Sequence, residues 1–538
     1  MLRSKSFEWR GAEISIDDAE KFIHIAKKQF ENQKEPVHKR EPLNENKVLI
    51  IKENMESTEY DEGQEKISTI KYSFSQIRNL KQFVELKTHQ VEGIAWLQTL
   101  QKKGSHGCLL ADDMGLGKTL QVLYFIEWHA QVSQDSKPYL IVAPVTLLEN
   151  WENEYQSFFS PQSIPLTLLY GTIDLSREFS KEKVDQLQRK HIILTNYETL
   201  KTYQRNLCAI DYAVVVLDEA QKIKTPGTGV TNASKALKAD FKIAMTGTPV
   251  ENTPVDLWCI MDFSSPGLLG YAKDFAKEFQ GCLKEKTTNV TELGKKIRDK
   301  IGIFIKRRLK EDIAEDLPKK FDNENSRIKR QMPKEQLERY KIELEQAKRI
   351  DLNGTDRRNQ ILRSLWTIRD ISDHPFLADS RISNFKSDEL VRSSAKLQIS
   401  IDLLTEIQAK DEKAIIFADR KETQKMLQKV IFEHFEIFPR IINGDTPTIK
   451  KAEGRTMLSR QQTINRFESE KGFNVIIMSP LAAGVGLNVT AANHVIHYTR
   501  HWNPAKEKQA TDRAYRIGAK KDVHVYYPMA ISDEFESL

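Results

Sequence analysis

The chain has 538 residues, 39% of them apolar and 29% charged, a balance that suits packed globular domains and excludes a disordered chain. Its longest unbroken apolar run, Tyr212–Leu217, is too short to span a bilayer, and Met1–Ile14 lacks the apolar stretch of a secretory signal, so membrane residence and export are excluded and a cytoplasmic location is expected. The net charge of +6 resides in Lys284–Arg330, with fifteen basic and nine acidic residues; such a segment points to an acidic polymer or, equally, to a solvated helical face.

At roughly 150 residues per domain, the length allows three or four domains. Residues 1–80 read as an N-terminal extension of unknown role. Ser15 and Asp18 form a capping-box pattern ahead of a helix over Ala19–Phe30, Val48–Ile51 reads as a strand, and Lys52–Gln64 as a polar linker. From Leu86 the pattern changes. Cys108–Ala111, Tyr139–Ala143, Ile192–Leu194, Tyr212–Leu217 and Ile243–Met245 are near-continuous apolar runs, as strands buried on both faces require. Leu120, Leu123, Ile126 and Ala130 keep helical spacing between the first two. Residues 266–395 are helix-rich and charged, without comparable runs. A second set of strands follows at Ala414–Ala418, Arg440–Ile442, Val475–Met478, His494–His497 and Val523–Tyr527. This alternation predicts an α/β protein with two doubly wound parallel-sheet lobes, 81–265 and 396–538, separated by a helical insertion and linker over 266–395. Cys108, Cys208, Cys259 and Cys282 lie far apart with no CxxC, so thiols in a reducing compartment are expected rather than disulfides or zinc.

The strongest local signal is Ala111–Thr119, ADDMGLGKT, between a strand and a helix. Gly115 and Gly117 leave backbone N–H groups open to phosphate oxygens, Lys118 can reach the β- and γ-phosphates, and the Thr119 hydroxyl can ligate Mg²⁺ at the helix N-terminus. Asp112 stands where the strict pattern has glycine. A second element follows the Ala213–Leu217 strand: Asp218 is placed to hold Mg²⁺ opposite the phosphate loop, and Glu219 to orient and deprotonate water.

With DEAQ at Asp218–Gln221, this loop resembles the motors of helicase superfamily two, and the remaining motifs resemble the Swi/Snf-type DNA-dependent ATPases. LKTHQVEGIAWL (Leu86–Leu97), IVAPVTLLENWENE (Ile141–Glu154), ILTNYETL (Ile193–Leu200), MTGTPVENTPVDLW (Met245–Trp258), FIKRRLK (Phe304–Lys310), LPKK (Leu317–Lys320), DHPFL (Asp373–Leu377), KAIIFA (Lys413–Ala418), MSPLAAGVGLNVTAANHVIH (Met478–His497) and HWNPAKEKQATDRAYRIG (His501–Gly518) follow in that family's order. The resemblance covers about residues 80–530. It implies two RecA-like lobes and ATP contacts from Gln90, Asp113, Met114, Gly115, Leu116, Gly117, Lys118, Thr119, Leu120 and Gly486. It further implies Mg²⁺ on Thr119 and Asp218, and catalysis by Lys118, Asp218, Glu219, Arg513 and Arg516.

Arg513 and Arg516 lie three apart, on one face of a helix, where two guanidiniums could meet a γ-phosphate from the opposite lobe once the lobes close. Thr246 and Thr248 read either as a relay of nucleotide state or as a turn built on Gly247 and Pro249. Trp151, Trp258 and Trp502 read as packing anchors or, less commonly for single tryptophans, as stacking residues, with the resemblance drawing Trp502 towards the polymer. His494 and His497 read as ordinary strand residues. Gln221, Thr499 and Ala519 depart from the family's commoner residues. The implied activity is ATP-driven translocation along double-stranded DNA, held through its phosphates and displacing bound proteins. A strand-separating helicase, an RNA polymerase remodeller and an ATP-gated DNA-binding scaffold are the alternatives. The motif wording is similar to bacterial members, several of which serve anti-phage defence, as the motor subunit of Zorya-type systems does; protein partners of a multi-subunit defence system are then expected. Relatives continue beyond SDEFESL (Ser532–Leu538), so a fragment of a longer protein is expected.

Overall fold

Runs of Val, Ile and Leu without polar alternation can be buried only between two layers of helices, and they form parallel strands here. The computed structural model describes residues 6–9, 12–15, 71–170, 189–250, 253–280, 290–313, 319–322, 327–348, 357–377, 382, 385–447, 458–480, 489–501, 504–515 and 521–533. The chain divides into two units, Met1–Val48 and Leu49–Leu538. In the first, β1 (Ser6–Trp9) pairs antiparallel with β2 (Ala12–Ser15), a pairing the sequence reading did not anticipate. The helix, strand and linker expected at Ala19–Phe30, Val48–Ile51 and Lys52–Gln64 lie outside the described residues.

The second unit contains two parallel sheets. One comprises β3 (Gly107–Leu110), β4 (Tyr139–Ala143), β5 (Leu166–Leu169), β6 (Ile192–Asn196), β7 (Asp211–Leu217), β8 (Lys238–Met245) and β9 (Ile305–Lys306), in the order β5-β6-β4-β7-β8-β3-β9. The other comprises β10 (Lys320–Phe321), β11 (Arg327–Gln331), β12 (Lys413–Phe417), β13 (Arg440–Ile442), β14 (Asn474–Met478), β15 (His494–His497) and β16 (Val523–Ile531). Its order is β10-β16-β15-β12-β14-β13, with β11 also on β16. Every pairing in both sheets is parallel. The period of two along β12 and β14 divides the second core into two layers: Ala414, Ile416, Val475 and Ile477 on one face, Ile415, Phe417, Ile476 and Met478 on the other.

The segment expected to be helical, 266–395, also supplies β9 to the first sheet and β10 and β11 to the second. These strands are two to five residues long, mostly charged, and sit on sheet edges, so they leave no apolar run. β5 escaped notice for a similar reason: as an edge strand it is only partly buried. Helix α1 (Thr88–Lys102) precedes β3, and α2 (Lys118–Val132) follows it. Trp96 of α1 donates its indole N–H to Ile303 O at 2.9 Å, tying α1 to the approach of β9. Of the remaining helices, α3 (Val145–Phe158) and α4 (Pro254–Ser264) belong with the first sheet, α5 (Lys334–Lys348) and α6 (Arg357–Asp373) form a pair, and α7 (Pro504–Thr511) lies near β15. Among the described residues no helix is long and apolar enough to cross a membrane.

Candidate active site

In a parallel sheet, groups at the C-terminal strand ends converge on one edge. β3, β8 and β7 are adjacent, so the loop Ala111–Gly117, the Thr246–Thr248 turn and the Asp218–Glu219 pair stand side by side.

The loop is shaped by glycine and braced from two sides. Gly117 caps α2 in the left-handed conformation (φ 77°), and a Cβ there would lie 2.3 Å from Gln90 Nε2. Gln90 Oε1 accepts the Lys87 N–H at 3.0 Å, and His89 Nε2 bonds Leu116 O at 3.0 Å, so α1 lies directly on the loop. Met114 packs on Gly247, whose own Cβ would come within 2.8 Å of Met114 Cγ. Leu116 and Leu120 are buried, Gly115 and Thr119 half-buried. Lys118 folds back over the loop, its Nζ donating to the carbonyls of Asp112 (2.7 Å) and Asp113 (3.2 Å).

The departure at Asp112 has a structural cause. Its fully buried carboxylate accepts both Nε and Nη2 of Arg308, from the segment following β9, and Gln121 reaches the same guanidinium at 3.1 Å. Arg308 also donates to His89 O. A glycine at 112 would leave this buried guanidinium only the more distant Glu92 carboxylate, 3.7 Å from its Nη1, as counter-charge.

At the end of β7, Asp218 Oδ2 accepts the indole N–H of Trp151 at 2.8 Å and Oδ1 accepts the Glu219 N–H at 2.9 Å. Burial, and then the neighbouring Glu219 charge, raise the Asp218 carboxyl to about 7. A dication would relieve both penalties, so the Asp218 carboxylate fits Mg²⁺. Among the described residues no three His, Cys, Asp or Glu side chains cluster as a metal site, so such an ion would take its remaining ligands from phosphate and water. Glu219 is itself left-handed (φ 51°), a strained setting for a non-glycine residue. Gln221 Nε2 donates to Glu219 Oε2 at 2.7 Å, Thr246 Oγ1 donates to Gln221 Oε1 at 2.7 Å, and Thr246 Oγ1 accepts the Thr248 N–H at 3.0 Å. Thr246–Thr248 is therefore a turn, bonded through Gln221 to Glu219.

Trp151 is fully buried yet polar in its role, and sequence reasoning took it only for a packing anchor; nothing in its local pattern signals Asp218, 67 positions away. Trp258 is an anchor, its indole bonded to Gly270 O at 2.9 Å. Trp502, Gly486, Arg516 and Ala519 lie outside the described residues. His494 bonds Glu412 and Tyr526, and His497 bonds Thr511, as strand residues. Thr499 donates to Asp373 Oδ2 at 2.6 Å, a position where an aspartate would face a second carboxylate.

The helical placement of Arg513 is corrected. Helix α7 ends at Thr511, and Arg513 is buried in the turn that follows. After Asp512 the backbone bonds tighten to i→i−3, Arg513 N–H to Ala510 O (3.1 Å) and Ala514 N–H to Thr511 O (3.0 Å), while the Arg513 carbonyl takes the Val489 N–H (3.1 Å) and the Tyr515 carbonyl takes Lys310 Nζ (2.8 Å). This turn is nevertheless joined to the first lobe: Lys310 Nζ reaches Asp512 Oδ1 at 2.9 Å, and Lys508 Nζ lies 3.9 Å from Asp113 Oδ2.

Residues 89–377, more than half of the chain, match the SNF2-related domain, and 395–518 match the helicase conserved C-terminal domain. The chain belongs to the SNF2-related family. Zorya protein ZorD of Escherichia coli O139:H28 is 38% identical over 98% of this chain and 50% of its own length. The putative ATP-dependent helicase/translocase YwqA of Bacillus subtilis is 34% identical over 82% and 46%. The chain thus spans about half the length of the curated relatives it matches. Among solved structures, the Sulfolobus solfataricus SWI2/SNF2 ATPase core in complex with dsDNA is 32% identical, covering 85% of this chain and 90% of that one, with a TM-score of 0.43. In SNF2 terms, the loop at 111–119 and DEAQ stand on strand ends separated only by β8, and the FIKRRLK stretch is the strap beside the loop.

Proposed function

We propose that this chain hydrolyses ATP and uses the resulting lobe movements to translocate along double-stranded DNA, displacing bound proteins in anti-phage defence. The observation that carries the reading is the alignment of Lys118, the Thr246–Gln221–Glu219 chain and Asp218 on three adjacent strand ends. Lys118 exchanges the carbonyls of Asp112 and Asp113 for the β- and γ-phosphates, and the loop N–H groups take their oxygens. Gln90, laid on Gly117, lies beside the adenine. Thr119 and Asp218 hold Mg²⁺, which when bound supplies positive charge to the phosphate oxygens. Glu219, aimed by Gln221, takes the proton of the attacking water. Arg513 and Arg516 meet the charge that develops on the transferred phosphoryl group when the lobes close. The duplex is held by phosphate contacts, so affinity falls steeply with salt and depends little on sequence. The name of the ZorD relative supports the defence role and protein partners from a multi-subunit system.

Steady-state hydrolysis measured without nucleic acid, then with single-stranded DNA, duplex DNA or RNA, tests this beside Glu219→Gln. Strong stimulation by duplex, lost in the variant, is expected. Stimulation chiefly by single strands means a strand-separating helicase, and binding without turnover means an ATP-gated scaffold. Deletion that leaves phage sensitivity of a native host unchanged removes the defence role.

A further inference from the structure

Lys310 touches both halves of the site with different atoms. The parallel ladder of β3 and β9 continues past both strands: Ala111 N–H donates to Lys306 O (2.7 Å) and Asp113 N–H to Arg308 O (3.0 Å), so the phosphate loop and the strap move as one ribbon. Two residues on, the Lys310 N–H donates to Asp113 Oδ2 at 3.3 Å. Its ammonium crosses to the second lobe, to Asp512 Oδ1 (2.9 Å) and Tyr515 O (2.8 Å), and lies 4.9 Å from the Tyr515 ring centre. The side chains of Lys310 and Asp512 are 3% and 9% exposed. Burying an ion pair gains little over an apolar pair, so its worth is geometric: it holds one orientation of the turn carrying Arg513.

We propose that Lys310 is a positioning residue that transmits the state of the phosphate loop to Arg513 through its bond to Asp512. The proposal rests on the ATPase reading above. Lys118 now occupies the carbonyls of Asp112 and Asp113; a triphosphate draws it away, and the two residues it releases are the ones bonded to Arg308 and Lys310. The displacement reaches Asp512, the residue before Arg513, through the Asp113 carboxylate and the Lys310 side chain, a shorter link than the 3.9 Å contact of Lys508 with Asp113.

The test uses the full chain and the variants Lys310→Met, Lys310→Arg, Asp512→Asn and Lys310→Met/Asp512→Asn. Their kcat and KM for duplex-stimulated hydrolysis are read together with a dye pair at positions 132 and 438, with and without a non-hydrolysable ATP analogue. Lys310→Met is expected to lower kcat about tenfold or more with KM within about threefold, and to lose the analogue-induced change in dye distance. Asp512→Asn, which keeps volume and so tests the bond even where Lys310→Met does not fold, should do the same. The double variant should be no worse than either single one, and Lys310→Arg should recover most of kcat. Unchanged kcat in an active protein, additive losses, or an intact distance change in Lys310→Met overturns the proposal and leaves the ATPase reading standing. A wild-type chain that binds the analogue without turnover overturns the ATPase reading alone, with the dye pair still deciding the role of Lys310; one that binds no nucleotide overturns both.

Discussion

Thr246 donates its hydroxyl to Gln221 at 2.7 Å, and Gln221 passes the constraint to Glu219 through its other end. An amide suits this place because it donates and accepts at once without a charge. Thr246→Val keeps shape but removes the donor, leaving Gln221 free to rotate. We expect kcat to fall about tenfold with ATP affinity nearly unchanged, since only the aim of the base is lost. Single-turnover hydrolysis beside equilibrium nucleotide binding checks this.

The indole N–H of Trp151, bonded to Asp218 Oδ2, lowers the Asp218 pKa against the larger upward effects of burial and the Glu219 charge. Trp151→Phe therefore raises that carboxyl further and weakens its hold on a dication. The Mg²⁺ concentration for half-maximal hydrolysis should rise, and stability should drop by about 1–3 kcal/mol for the unpaired acceptor. A magnesium titration and a denaturant melt measure the two effects.

Asp112→Gly brings the loop closer to the strict phosphate-loop pattern and should nonetheless be harmful. It takes from Arg308, whose side chain is only 12% exposed, its two-bonded partner and leaves it Glu92 at 3.7 Å, so the cost should fall somewhat below the roughly 3–5 kcal/mol of a wholly uncompensated buried charge. Adding Arg308→Met should recover part of the loss. Equal stability of Asp112→Gly and the parent in urea would show that the pair is dispensable.

Two histidines of the second lobe region set its acid limit. His374 accepts the Phe376 N–H on Nδ1 (3.1 Å) and bonds Leu390 O through Nε2 (2.9 Å), an arrangement only the neutral ring satisfies. Burial lowers His374 and His497 to about 4, below the value of about 6.5 in the unfolded chain. The unfolded state therefore binds more protons between these values. Stability is fully present above about pH 6.5 and is lost as pH falls towards 4, by on the order of 2 kcal/mol for each histidine at pH 5. Urea midpoints from pH 7.5 to 5 should fall, and less so in His497→Gln.

The sheets were legible because their information is local. Ala213–Leu217 and Ala414–Phe417 are buried on both faces, and an uninterrupted apolar run is the direct consequence. Edge elements carry no such mark: β9, two residues long, is a strand only because β3 lies beside it. Arg513 shows the same limit, since spacing suggested a helix where the backbone turns into i→i−3 bonds beside Val489 and Lys310.

The sequence by itself determined the chemistry-bearing parts of this protein: a glycine-shaped loop ahead of a helix, a carboxylate pair at the end of a buried strand, and their order along the chain. These are short-range patterns, readable because strand and helix periods act over a few residues. Only the tertiary structure decided what holds those parts in register. Asp112 meets Arg308 across 196 positions, Trp151 meets Asp218 across 67, and Lys310 meets Asp512 across 202. No local period encodes such pairs. They arise because parallel strand order sets distant segments edge to edge, and because a buried charge or donor is stable only where the fold delivers its partner.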